Sequence, residues 1–380
     1  MKSICIITKG YPYKADPTYA FVQQLVDAWA RAGIKCFVIS PQSVTKSLIR
    51  KKNIRPTFWN YEIDNNVIEV YQPKYVSLSR TKSIILGEIV FQEYCAAVEH
   101  VFNRFIKGKV DCVYGHFWYS GICAGRLASK NGIQAFVASG ESVIDIEDFI
   151  SIERHKKEAE QINGVICVSG KNKVESVQLG LTSEEKCCVI PNAVNTKIFK
   201  RIDKKEARKL LGFDNDVFIV SFVGHFDERK GVLRVAEALN KIEDVKFIFV
   251  GKGSLTPNCN GILFSGQVEH DYLPNYLCAS DVFVLPTLAE GCCNAIVEAL
   301  ACGLPVISSN LSFNDEILSN EYSIRIDPTN IEEISNAISY LKQNREVLES
   351  MALNAFNMGS KLDIDSRAKT IIEFMENPTE

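Results

Sequence analysis

The chain has 380 residues, 46% of them hydrophobic and 23% charged, with 43 Lys and Arg against 46 Asp and Glu. That is the make-up of a globular chain long enough for two cores, and it excludes a disordered or fibrous polymer. The formal net charge of −3 leaves no electrostatic footprint for nucleic acid, and no apolar run is long enough to span a bilayer.

Met1-Lys2 leads directly into an apolar run, without the pattern of a signal peptide. The thirteen cysteines are scattered through apolar contexts, and Cys187-Cys188 and Cys292-Cys293 are adjacent pairs without metal-ligand spacing. The expectation is a reduced, cytoplasmic chain whose thiols serve as small core residues and which holds no metal.

In chain order, short apolar runs predict strands at Ile4–Thr8, Cys36–Ser40, Val67–Tyr71, Asp111–Tyr114, Ala135–Ala138 and Val165–Val168. Helical periodicity lies between them, at Tyr19–Ala32, Ile84–Phe105 and Gly121–Lys130. The alternation restarts after Phe199, with strands at Phe218–Val223, Lys246–Val250, Val282–Leu285 and Val306–Ser308. Strand and helix in turn argue for parallel sheets with crossover helices, and two restarts argue for two doubly wound α/β halves hinged near Pro191-Asn192-Ala193. An amphipathic helix, Ser366–Met375, closes the chain after Gly359-Ser360.

Charge is unevenly spread. Residues 1–170 carry 21 basic and 16 acidic side chains, and residues 171–380 carry 22 and 30. A cluster at Lys46, Arg50, Lys51, Lys52 and Arg55 adjoins Phe58 and Trp59, a composition that suits either a solvated loop or contact with an anionic membrane.

The segment Asp281–Ser309 carries the most chemistry. A strand runs into a turn with Glu290 and Gly291. A helix follows with Glu298, and a second strand starts after Gly303. Ligands of open α/β sheets bind at the carboxyl ends of the strands. The first-turn N–H groups of the helix, around Gly291, Cys292, Cys293 and Asn294, are free to receive an anion or a sugar hydroxyl. Glu298 sits between Val297 and Ala299-Leu300, where a charge needs a partner, and it suits a vicinal diol such as ribose. Arg229 and Lys230 stand where a helix begins after the strand Phe218–Val223. Helix starts favour anions, so two cations there fit an anionic ligand between them.

The segment EGCCNAIVEALACGLPVISS resembles the glutamate–seven residues–glutamate signature of glycosyltransferase family 4, retaining enzymes of the GT-B fold. The segments YGHFWYSGICAGRLASKNG, ICVSGKNKVESVQLGL, VIPNAVNTKIF, FVGHFDERKG and FVGKGS fall where that family expects them, so the resemblance covers nearly the whole chain. HFWYSG, GHFDERKG and EGCCNAIVEALACGLPVISSN are also similar to a subgroup that builds bacterial cell-surface polysaccharides, the teichuronic-acid type among them.

The resemblance implies two Rossmann-like domains facing a central cleft. Residues 1–193 would form the acceptor-side domain, residues 194–360 the nucleotide-sugar domain, and residues 361–380 a helix returning to the first domain. It implies transfer of a sugar from a nucleotide diphosphate sugar, UDP- or GDP-linked, to a saccharide or polyprenyl-linked saccharide in cell-surface polysaccharide synthesis. No bound cofactor and no metal is implied, and contact is expected with the inner membrane face. By the same resemblance Glu290 and His116 belong to the catalytic group and face the donor sugar, Glu298 binds the ribose, and Arg229 and Lys230 hold the diphosphate. Donor contacts extend to Gly291, Cys292, Cys293, Asn294, His225 and Gly10.

The chain departs from the family at three points. His225 stands where an Arg is usual, a lone Gly10 replaces a glycine pair, and Asn192-Ala193 replaces Asn-Gly. Gly140-Glu141 fits either the acceptor side or a plain turn. Gly251-Lys252-Gly253 fits either close approach to a nucleotide or packing. Two other readings remain open on these residues: a nucleotide-sugar 2-epimerase on the same fold, and a non-catalytic nucleotide-binding scaffold.

Overall fold

A computed structural model describes residues 1–14, 16–49, 54–77 and 83–378. Arg50, Lys51 and Lys52 of the basic cluster lie outside the described residues, as does the side chain of Lys46. Two compact units form: residues 1–190 with 365–380, and residues 191–364.

In the first unit the strands lie in the order Cys187–Val189, Gly164–Cys167, Gln134–Ser139, Cys112–His116, Ser3–Ile7, Lys35–Ile39, Asn66–Tyr71 and Phe58–Ile63. Every neighbouring pair is parallel except the last, an antiparallel hairpin turning at Asp64 and Asn65. Ser3–Ile7 and Cys112–His116 are buried at every position, the pattern of strands covered by helices on both faces. The helix Ile84–Val101 ends in a turn of π-helix, Phe102–Ile106, which carries Phe102 and Ile106 into the core.

The terminal helix Ile364–Glu376 belongs to this unit. The buried Trp29 indole N–H donates to the Ala368 carbonyl at 3.1 Å, and Arg31 pairs with Asp365 at 2.5 Å.

In the second unit six parallel strands lie in the order Ile262–Gly266, Val245–Val250, Phe218–Val223, Val282–Leu285, Val306–Ser309 and Ser323–Ile326. Residues 194 and 362–364 close the unit through Val194 N–H to Leu362 O and Ile364 N–H to Val194 O. Among its parallel strands, each of these two sheets has one point where chain order reverses direction. In the first unit it lies between Ser3–Ile7 and Cys112–His116, and in the second between Phe218–Val223 and Val282–Leu285. A crevice opens at such a point beyond the carboxyl ends of the strands, and there ligands of these sheets bind.

Candidate functional site

Both strands flanking the switch point of the second unit deliver charged loops. After Phe218–Val223 the chain turns through residues 224–231 into the helix Val232–Leu239. The turn closes on Gly231 at φ +80°, where a Cβ would stand 2.8 Å from the Pro286 carbonyl. After Val282–Leu285 the chain runs through Thr287 and Glu290 to the helix Asn294–Ala301. The two loops are laced together. Leu288 N–H donates to Arg229 O at 2.9 Å, Arg234 to Pro286 O at 2.9 Å, and Arg229 Nη1 to Ala289 O at 2.6 Å.

That lacing gathers three of the residues expected to act together. Glu290 Oε1 receives Arg229 Nη1 at 2.5 Å, Lys230 Nζ at 2.7 Å and the Thr287 hydroxyl at 2.9 Å. The Lys230 and Glu290 side chains are each 12% exposed, while that of Arg229 is 38% exposed. Burial pulls the Lys230 ammonium down, but the neighbouring Cys293 and Glu290 outweigh it, so its pKa is raised and the group stays charged. Two cations thus share one carboxylate at the mouth of the crevice, a site with one positive charge to spare.

Gly291, Cys292 and Cys293 are buried in the turn between Glu290 and the helix that starts at Asn294. Burial pushes the Cys293 thiol up, and its sulfur lies 3.6 Å from Lys230 Nζ. Asn192 Nδ2 donates to Cys292 O at 2.9 Å and to Asn294 Oδ1 at 2.8 Å, so the Asn-Ala departure still fixes the helix start. His225 is not gathered into this cluster. Its side chain is 56% exposed and pairs with Asp227 at 3.2 Å. Gly251 and Gly253 serve packing: a Cβ would meet Gly224 O at 1.9 Å from the first and Phe226 O at 2.1 Å from the second.

Glu298, one helical turn beyond the mouth, is 7% exposed. Its Oε1 lies 2.9 Å from His270 Nε2. His270 opens the short 3-10 turn His270–Tyr272 beyond the strand Ile262–Gly266, with its ring against Phe199 at 4.9 Å between centroids. Sequence reasoning missed His270, Thr287 and the tether from Asn192. For His270 the available signal was its place just past the carboxyl end of a strand.

The first unit places Gly10 and His116 at its own switch point. Gly10 is buried against Tyr19, whose ring a Cβ would meet at 2.9 Å. His116 is enclosed by Phe21, Phe117, Tyr19 and Tyr114 rings, with centroids 4.4 to 6.3 Å away. Neither of its ring nitrogens has a hydrogen-bond partner among the described residues. Burial, aided by Arg367, lowers its pKa to about 3, so the imidazole is neutral at ordinary pH.

The next residue, Phe117, takes φ +68° and ψ 158°, a costly conformation for a non-glycine. Glu141 helps to hold it. Its carboxylate accepts Trp118 N–H at 2.7 Å and Gly140 N–H at 2.9 Å. Burial raises the Glu141 carboxyl to about 6, against the pull of those donors and of Lys9. Gly140-Glu141 is therefore the clamp of the strained turn. Among the described residues, no group of three or more His, Cys, Asp or Glu side chains is placed to hold a metal ion.

Comparison with known proteins adds a family match over part of the chain, and the fold. Residues 203–358 match the family model described as glycosyl transferases group 1. The chain is 26% identical over 354 residues to TuaC of Bacillus subtilis, a protein named for glycosyl transfer in teichuronic acid biosynthesis. That alignment covers 88% of this chain and 87% of the relative. It is 28% identical over 298 residues to the UDP-Gal:alpha-D-GlcNAc-diphosphoundecaprenol alpha-1,3-galactosyltransferase of Escherichia coli, covering 68% and 74%. Among solved structures, sucrose-phosphate synthase of Thermosynechococcus elongatus superposes with a TM-score of 0.78 at 19% identity, covering 99% and 98% of the two chains. Anabaena HepE in complex with UDP gives 0.73 at 18%, covering 99% and 100%. The GT-B class expected from the sequence holds.

Proposed function

Residues 203–358 match the model of the group 1 glycosyl transferases, and from that match we propose that this chain is a retaining hexosyltransferase. Its donor is a UDP-sugar, its acceptor a polyprenyl-diphosphate-linked saccharide, and its product a cell-surface polysaccharide or a precursor of one. The observation that carries the reading is the convergence of Arg229 and Lys230 on Glu290 at the switch point of the second unit. The B. subtilis and E. coli relatives support the acceptor class. The UDP in the HepE complex and in the E. coli enzyme's name supports the base.

The chemical problem is a departing diphosphate. Arg229 offers a planar fork and Lys230 a buried point charge, and together they stabilise the charge that develops as the sugar–phosphate bond breaks. In the bound state the diphosphate takes over the cations from Glu290, which then accepts hydrogen bonds from the sugar hydroxyls. Glu298 accepts from the ribose. The acceptor oxygen bonds to the anomeric carbon on the face the phosphate leaves, and its proton passes to the departing phosphate oxygen. The two cations supply the charge that a divalent metal supplies elsewhere, so turnover proceeds in chelator. The first unit handles the acceptor, and the neutral His116 is kept for the donor sugar, with one hydrogen-bond donor and one acceptor to offer to hydroxyls. Exposed Leu48, Ile49, Ile84 and Ile85 in that unit support peripheral contact with the inner membrane face.

The test is a thermal-shift panel of UDP, GDP, ADP and CMP with and without Mg²⁺, followed by transfer assays with UDP-sugars. A ligand that binds only the folded state raises the melting temperature by mass action. The expected result is a shift with UDP, unchanged by Mg²⁺ and lost in Arg229→Ala and Lys230→Ala. No shift with any nucleotide refutes the donor assignment. Binding without turnover on any lipid-linked saccharide favours the scaffold reading, and epimer formation from donor alone favours the epimerase.

A further inference from the structure

Among the described residues, His270 is the one imidazole that touches an acid of the candidate donor site, and the sequence pattern does not include it. It comes from a different strand than the helix it meets, 28 residues from Glu298. Glu298 sits on an apolar stretch of helix, where a carboxylate without a partner is costly. His270 Nε2 meets Oε1, while Oε2 has no hydrogen-bond partner among the described residues. A carboxylate with one oxygen pinned and the other open is set to accept from a diol in one orientation only. Phe199 closes one side of the imidazole. The ring's second nitrogen, Nδ1, points toward the exposed Asp271 at 4.0 Å.

We propose that His270 is a positioning residue for nucleotide binding: it orients Glu298 toward the donor ribose and adds a titratable positive charge beside it. This rests on the donor reading given above and deepens it. Among the described residues, the titratable groups facing the pair are few. Asp271 flanks His270, the Cys302 thiol just past the end of the same helix senses Glu298, and Phe199 contributes no charge. Burial depresses the imidazole's proton affinity, but the bond to Glu298, its charge and Asp271 outweigh that, and the pKa is raised. The charge is therefore present below that raised value and lost as pH rises through it. Affinity for an anionic nucleotide follows the same course.

The experiment is calorimetric titration of UDP and of 2′-deoxy-UDP between pH 6 and 9, on wild type, His270→Gln and His270→Ala. Gln keeps a hydrogen-bond donor but cannot titrate. The terminal phosphate of UDP itself has a second pKa near 6, so the reading is the difference between wild type and His270→Gln. Wild type is expected to lose affinity as pH rises and His270→Gln to lose that component. His270→Ala should bind UDP about three- to tenfold more weakly, with a smaller preference for UDP over 2′-deoxy-UDP. Nuclear magnetic resonance titration of the His270 ring should show its pKa falling in Glu298→Gln. Identical pH profiles in all three proteins, with UDP bound by each, overturn the role of His270 and leave the donor reading standing. Failure of wild type to bind any nucleoside diphosphate overturns both.

Discussion

Glu290→Gln is the sharpest perturbation of the site, because it should weaken the protein and tighten a ligand at once. In wild type one carboxylate oxygen takes Arg229, Lys230 and Thr287. Lys230 meets it at 2.7 Å with both side chains 12% exposed, so water replaces little of the lost charge. Removing one member of a buried pair costs about 3–5 kcal/mol. The glutamine oxygen still accepts one donor and Arg229 is open to solvent, so we take the net loss at about 2 kcal/mol. For a unit of this size that lowers the melting temperature by roughly 4–8 °C. UDP then finds two cations with no internal competitor. Removing one like charge from its path is worth about 1–2 kcal/mol, or roughly five- to thirtyfold in affinity. Differential scanning calorimetry with and without UDP reads both effects, and transfer activity should fall because the sugar hydroxyls meet a neutral amide in place of a carboxylate. An unchanged melting temperature with equal or weaker UDP binding refutes the reasoning.

Glu141 should leave a mark on stability against pH. Its carboxyl stands at about 6 in the folded chain against 4.5 unfolded, so the folded state holds its proton more tightly. Stability is fully present below pH 4.5 and falls by about 2 kcal/mol as pH rises through 6. Denaturant titrations at several pH values should show that component vanish in Glu141→Gln. Gly253→Ala should destabilise the second unit by about 1–3 kcal/mol, since its Cβ meets the Phe226 carbonyl at 2.1 Å. The fraction that stays folded should bind UDP as wild type does, whereas a nucleotide-contact role for this glycine predicts weakened binding by folded protein.

Periodicity made the interior strands legible. Phe218–Val223 and Val282–Leu285 match the expectation to the residue, because apolar runs bounded by turn residues have few other uses. Phe58–Ile63 escaped because it alternates exposed and half-buried positions beside a basic stretch, and that stretch reads as a loop. Ile262–Gly266 and Ser323–Ile326 are short edge strands with half-buried faces and give the same faint pattern. Within the site, the spacing of Glu290 and Glu298 was visible because both lie on one short segment. Their pairings were not: Arg229 and Lys230 stood out as cations at a helix start, but nothing joined them to Glu290. Arg229 stands 61 residues from Glu290 and His270 28 residues from Glu298, and only the strand order brings them together. The burial of Glu298 was foreshadowed by its apolar neighbours, but nothing local named the histidine.

Thr287 decides whether Glu290 is ready once the diphosphate has arrived. Its hydroxyl holds Oε1 at 2.9 Å, and its own carbonyl is fixed by Ser309 Oγ at 2.6 Å. It is fully buried, so its rotamer is set by packing and not by the ligand. When Arg229 and Lys230 turn to phosphate, Glu290 loses two of its three partners and Thr287 remains. Thr287→Val keeps the shape and deletes that last hold. UDP binding, which relies on the cations, should change less than twofold. Turnover should fall about tenfold, the loss of one hydrogen bond of roughly 1.4 kcal/mol to a charged group. Steady-state transfer kinetics separate the two: a fall in kcat with KM for the donor unchanged supports an orienting role. A rise in KM alone places Thr287 in ground-state donor binding, and unchanged kinetics mean that Glu290 needs no guide.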